Sequence, residues 1–112
     1  MKKLLAILAL TLPMTALANG NLPFVGKKQF GGNVCIGGNG FVYYLEIKKN
    51  GNAKIYEVSG KTGKVTEVIY QGKYRTVMGS FKVLNRRQIA LVDEQGNIDY
   101  DTCGADAVMQ LK

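Results

Sequence analysis

The sequence predicts a small all-β domain, an antiparallel barrel or sandwich of about seven strands with one disulfide, and three observations predict it. Phe41, Tyr43, Leu45 and Ile47 alternate with Val42, Tyr44, Glu46 and Lys48, the period of two of a half-buried strand. Turn residues then recur at roughly 8–12-residue spacing, as they do in all-β sandwiches and barrels. Cys35 and Cys103, the only two cysteines, lie far apart, so an intramolecular bridge has one possible connectivity.

Residues 1–18 set the compartment. Lys2 and Lys3 form a positive head, residues 4–12 (LLAILALTL) an apolar core, and Pro13 breaks any helix before the small-residue site Ala16-Leu17-Ala18. That order predicts a secretory signal peptide cleaved after Ala18. The uncharged run from Leu4 to Ala18 is shorter than the ~20 residues that span a bilayer. Asn19 stands where a lipid-anchored protein would carry cysteine. The expected product is periplasmic or secreted, with no transmembrane segment, and its 94 residues suffice for one domain. An oxidising compartment favours the Cys35–Cys103 bridge, and closing so long a loop stabilises a fold by about 4 kcal/mol on the chain-entropy model.

Residues 19–32, rich in Gly, Asn and Lys, read as an irregular lead-in, and 33–112 as the β domain. A short first strand is expected at 34–36. Others follow at 41–48, 53–58, 64–70, 74–84, 88–93 and 98–103, separated by Asn50-Gly51, 59–63, Gln71-Gly72, 85–87 and 95–97. Gly79 interrupts the longest run and reads as a bulge or bend. Residues 105–111 fit helix or strand. If Asn50-Gly51 is a two-residue type I′ turn, Leu45 pairs with Tyr56 and Tyr43 with Val58 on a buried face. Glu46/Ile55 and Tyr44/Glu57 then share the other face. By the same parity both cysteines look outward, and the bridge clips the first and last strands together across a barrel seam.

The chemistry of the chain is defined largely by what it lacks. It contains no histidine, so no Ser-His-Asp or Cys-His arrangement can be built and the commonest metal ligand is missing. No metal and no cofactor are expected. Alternation puts Asp99 and Asp101 on one strand face, where paired carboxylates would suit a small glycan-active hydrolase, the alternative to a binding role. The run from Asn97 to Asp101 resembles the opening of a calcium loop, but Thr102 replaces its glycine and the distal glutamate is missing. Gly60-Lys61-Thr62 matches the end of a phosphate loop whose first glycine position is Ile55, so it reads as a turn. Six tyrosines and four phenylalanines would suit single-stranded nucleic acid. Their parity assigns most of them to the core, and export argues against that partner.

The mature chain keeps 13 basic against 8 acidic side chains, a balance of +5 that favours anionic partners. With simple up-and-down strands, Lys61, Lys64, Arg86 and Arg87 share one end of the barrel. Lys48, Lys49, Lys54, Lys73 and Arg75 gather at the other, near Glu94. The first group is the candidate partner-binding rim, since arginine grips phosphate or carboxylate bidentately.

A signal peptide, a cysteine on the first strand, a small antiparallel barrel, Gly72-Lys73-Tyr74 and a closing strand ending in Cys103 together resemble the bacterial inhibitors of c-type lysozyme. The resemblance covers about residues 34–103. It implies a non-catalytic protein that presents an adjacent Ser-Lys pair into the lysozyme cleft; the nearest match here is Ser80-Phe81-Lys82, with Ser80 and Lys82 as the candidate polar pair. The expectation is therefore an exported binding protein, inhibitor- or adhesin-like, whose partner is a protein or an anionic envelope glycan or lipid. A structural envelope component is the third reading.

Overall fold

The computed structural model describes residues 22–112; the expected signal peptide and cleavage site lie outside the described residues. The predicted all-β class holds. Strands β1 (Gly26–Phe30), β2 (Phe41–Ile47), β3 (Asn52–Ser59) and β4 (Val65–Lys73) form one antiparallel meander. Strands β5 (Val77–Met78), β6 (Phe81–Asn85), β7 (Gln88–Leu91) and β8 (Val108–Gln110) form a second. A single helical turn, α1 (Tyr100–Cys103), and a 3-10 turn at Gly104–Ala107 precede β8. Of the two architectures expected, the chain adopts the sandwich. The sheets do not close into a barrel, because no ladder joins β4 to β5. At the other seam Gln29 and Lys112 exchange backbone bonds of 3.2 and 2.9 Å.

The core lies between the sheets and follows the alternation. Leu45 and Ile47 of β2 and Ala53 and Ile55 of β3 face Met78, Phe81, Val83, Ile89, Met109 and Leu111. Leu45, Ile47, Ile55, Met78 and Ile89 are fully buried, each stabilising the fold by about 1.5–3 kcal/mol in transfer terms. Phe30, Tyr43 and Phe81 form an aromatic cluster with ring centroids 5.1–5.8 Å apart, within the range of favourable ring contacts.

The β2–β3 register differs from the expected one. Leu45 pairs with Ile55, Tyr44 with Tyr56 and Tyr43 with Glu57. The connection has three residues instead of two: Lys48 bonds Asn52, and the Gly51 N–H donates to the Lys48 carbonyl at 2.9 Å. Gly51 has φ +90°, whereas Asn50 keeps negative φ. This is a type I turn followed by a glycine bulge. The Asn50 side chain supports it by accepting from the Asn52 N–H at 3.0 Å. The register matches apolar with apolar at Leu45/Ile55 and leaves Glu57 beside Tyr43, where hydrogen bonding satisfies it.

Three other elements move. Residues 26–30, expected to be irregular, form β1, and the strand expected at 34–36 is a turn. There Asn33 Oδ1 accepts from the backbone of Cys35 and Ile36 at 3.0 and 2.6 Å, so a side chain replaces a ladder partner. The 74–84 run splits into β5 and β6 at Gly79-Ser80, with Met78 facing Phe81. Gly79 takes φ +61° and Ser80 does not, the dihedral pattern of a II′ hairpin turn. Residues 98–103 keep only an Ile98–Val92 bridge before turning into α1. Asp99 caps that helix by accepting from the Thr102 N–H at 3.1 Å. The closing strand is β8 instead.

The disulfide Cys35–Cys103 forms, with Cα atoms 5.7 Å apart. It joins the loop after β1 to the end of α1, and neither cysteine lies in a strand. Two tip regions result. The first holds the β2–β3 turn, the 74–76 link, whose Tyr74 N–H donates to Gly51 at 2.7 Å, and the β6–β7 turn. The second holds the β3–β4 turn, bonded to Gly40 through Gly60 at 2.8 Å, the disulfide loop, the 93–97 turn and α1.

Candidate functional site

The expected basic rim does not assemble. Arg86 and Arg87 occupy the β6–β7 turn, where the Arg86 carbonyl accepts from Lys28 Nζ at 2.8 Å and that of Arg87 from the Leu111 N–H at 2.7 Å. Lys28 lies in the row Lys28–Leu45–Ile55–Tyr70. Ser59 is four strand positions away, about 13 Å of rise, and the turn carrying Lys61 and Lys64 projects beyond it. The cause is the hairpin at Gly79-Ser80. One additional reversal sends every later turn to the opposite end.

That same reversal builds a different charged surface. Lys48 and Lys49 stand in the β2–β3 turn, Lys73 ends β4, and Arg75 lies in the link beside Gly51. Arg86 and Arg87 join them, with Lys27 and Lys28 on β1 and Lys54 on β3. Lys112, paired through its backbone with Gln29, follows next to them. Among all these cations one acidic side chain occurs, Glu46, opposite both Lys27 and Lys54 in the register. Spacing alone groups Lys48, Lys49, Lys54, Lys73 and Arg75; the two arginines fall outside that grouping because residues 74–84 read as one run, whereas Met78 faces Phe81 across a turn.

The outer face of the sheet supplies the shape of this basic end. A shallow cleft is lined by Lys48, Asn52, Lys54, Gln71 and Glu46. Next to it the rings of Tyr44 and Tyr56 stack at 5.6 Å. Lys27 Nζ lies 5.1 Å from the Tyr44 ring centre and Lys54 Nζ 5.3 Å from that of Tyr56, close enough for cation–π attraction.

The other seven carboxylates lie toward the opposite end, and several are engaged in structure. Asp93 accepts from the Gln95 and Asn97 backbone at 2.9 and 3.0 Å. Asp99 is the α1 cap, and Asp101 is an exposed residue of the same turn, so the two do not share a strand face. Glu57 accepts from Tyr43 Oη at 2.8 Å and from Thr66 Oγ1 at 2.7 Å. Burial first, then the Glu57 hydrogen bond and the charges of Glu57 and Glu67, push the Tyr43 phenol up to about 12. Burial also raises Tyr74. Glu67, Glu94 and Asp106 are exposed.

The candidate polar pair is split. Ser80 is exposed at the β5–β6 turn and borders a cleft with Cys35, Tyr43, Glu67, Leu91 and Thr102. Lys82 lies on β6 between Val77 and Ala90 and does not line that cleft. No helix among the described residues is long and apolar enough to cross a membrane. No family model matches the chain, and no curated protein or solved structure shows significant similarity to it.

Proposed function

We propose that this chain is an exported, non-catalytic binding protein of the bacterial envelope that contacts another macromolecule through its surface turns. The observation that carries the reading is the asymmetry of charge: most cations, Lys61 and Lys64 apart, collect at one end of the sandwich, and seven of the eight carboxylate side chains lie toward the other. Gathering like charges opposes folding through self-repulsion, and a partner of opposite charge offsets it. The carboxylates nominated for hydrolysis support the same reading, since Asp99 is engaged as a helix cap. Export is supported by the leader pattern of residues 1–18 and by the bridge, which persists in oxidising compartments.

The test has two arms. The full chain expressed in a bacterial host is expected in the periplasmic fraction or medium, beginning at Asn19 and without a free thiol. Cytosolic protein retaining Met1 would sink export. The purified product is expected to show no turnover across a panel of glycoside and ester substrates. Turnover abolished by Asp101→Asn in a folded variant would establish the enzyme instead. A narrower form of the binding role, inhibition of c-type lysozyme, is supported by the exposed Gly79-Ser80 turn beside its cleft. It predicts loss of lysozyme activity on adding the protein and recovery with Ser80→Ala.

A further inference from the structure

Building on that binding role, we propose that the basic end is the docking surface for an acidic polysaccharide, a polymer whose sugars carry carboxylates. Ten cationic side chains lie at that end, from β1, β3, the end of β4, three chain reversals and Lys112, with Glu46 as the one acidic side chain among them. Charges within the ~8 Å Debye length at physiological salt repel one another with partial screening, and a polyanion relieves that repulsion. The cations form a field and not a point. Lys27 and Lys54 flank β2 from its two neighbouring strands, about 10 Å apart at the usual inter-strand spacing. Such spreading suits repeated charges along a polymer better than a single small anion.

The groups between the cations narrow the ligand further. Asn52 and Gln71 line the cleft with Lys48 and Lys54, and amides of this kind donate to and accept from sugar hydroxyls. Tyr44, half-buried, adds aromatic surface at its margin next to Lys27, with the buried Tyr56 stacked against it. An anionic bilayer would call for apolar side chains beside the cations to enter the acyl boundary. Of the exposed large apolar side chains, Val34, Phe41, Val65 and Tyr100 stand toward the opposite, acidic end. Val25, before β1, and Val68, on β4, flank opposite edges of the first sheet and Val77 lies on the second, so they do not form one apolar face beside the cations. Charge, amides and the Tyr44 ring together favour a glycan over a membrane.

The experiment measures retention of the mature, oxidised protein on immobilised polygalacturonate, with neutral dextran and phosphatidylglycerol vesicles as comparators. Retention at low salt, falling steeply as salt rises, is expected on polygalacturonate alone. Arg86→Ala with Arg87→Ala, and separately Lys48→Ala with Lys49→Ala, should each weaken it about three- to tenfold. Lys61→Ala with Lys64→Ala, at the other end, should leave it unchanged, and Glu46→Gln should strengthen it. Circular dichroism confirms that each variant is folded. Equal losses from the Lys61/Lys64 and Arg86/Arg87 pairs would overturn the site, and vesicle binding as tight as glycan binding would overturn the ligand class. Absence of retention at low salt also overturns this inference while leaving the binding role standing; that role fails on the turnover assay instead.

Discussion

Tyr43 joins the core to the polar edge of the first sheet. Its ring packs against Phe30 and Phe81, while its hydroxyl donates to Glu57, itself bonded to Thr66. Each of these contacts favours the neutral phenol, so the folded value of about 12 exceeds the ordinary 10. Between those values the unfolded chain loses the proton that the folded chain keeps, and stability falls as pH rises from about 10 to 12. Tyr74 acts in the same direction. Urea midpoints measured across that window should decline, and Tyr43→Phe should flatten the decline. An unchanged slope in the variant would mean that Tyr43 ionises normally.

Two turns and one cap decide where the strands lead. At Gly79 an added Cβ meets Ile69 Cγ2 at 3.3 Å, and the backbone already has φ +61°. Gly79→Ala should therefore cost about 1–2 kcal/mol, read from urea unfolding. A neutral result would show that the hairpin relaxes around the methyl group. Asp99 satisfies the Thr102 N–H at the start of a helix only four residues long. Asp99→Ala should cost about 1 kcal/mol, whereas Asp101→Ala, exposed on the same turn, should change stability within about 0.5 kcal/mol. Equal losses from the two would remove the cap from the account.

Across the molecule, the disulfide anchors the segments that have least ladder to hold them. Asn33 and Gly37 form an isolated bridge outside the strands, and the stretch from 99 to 107 lies between sheet elements. The bridge spans a sequence separation of 68 residues, for which the chain-entropy model gives a stabilisation of about 4 kcal/mol. Reduction should lower the unfolding free energy by that order, and Cys35→Ser with Cys103→Ser should match the reduced protein. A reduced form as stable as the oxidised one would show that the sheets alone hold these loops. The charge segregation has an equally global reading: adding salt should stabilise the fold, by screening the basic end, until the Debye length drops below the spacing between its cations.

The sequence by itself determined the β class, the inner face of β2 and the partnership of the two cysteines. Each depends on a local or count-based signal: the alternation through Leu45 and Ile47, the turn residues, and a cysteine count of two. Strand 26–30 was not legible because GKKQF has no apolar alternation, and it forms only because β2 and Lys112 offer bonding partners. Residues 34–36 and 98–103 contain β-forming residues, yet Asn33 and Asp99 bond the local backbone in place of a neighbouring strand. Only the tertiary structure decided which charges meet. Lys61 and Arg86 fall on the same or opposite ends according to the number of reversals between them, and a single glycine hairpin changes that number by one. Turn parity is set by backbone dihedrals at Gly79, whereas the surface it creates depends on residues as far apart as Lys27 and Arg87.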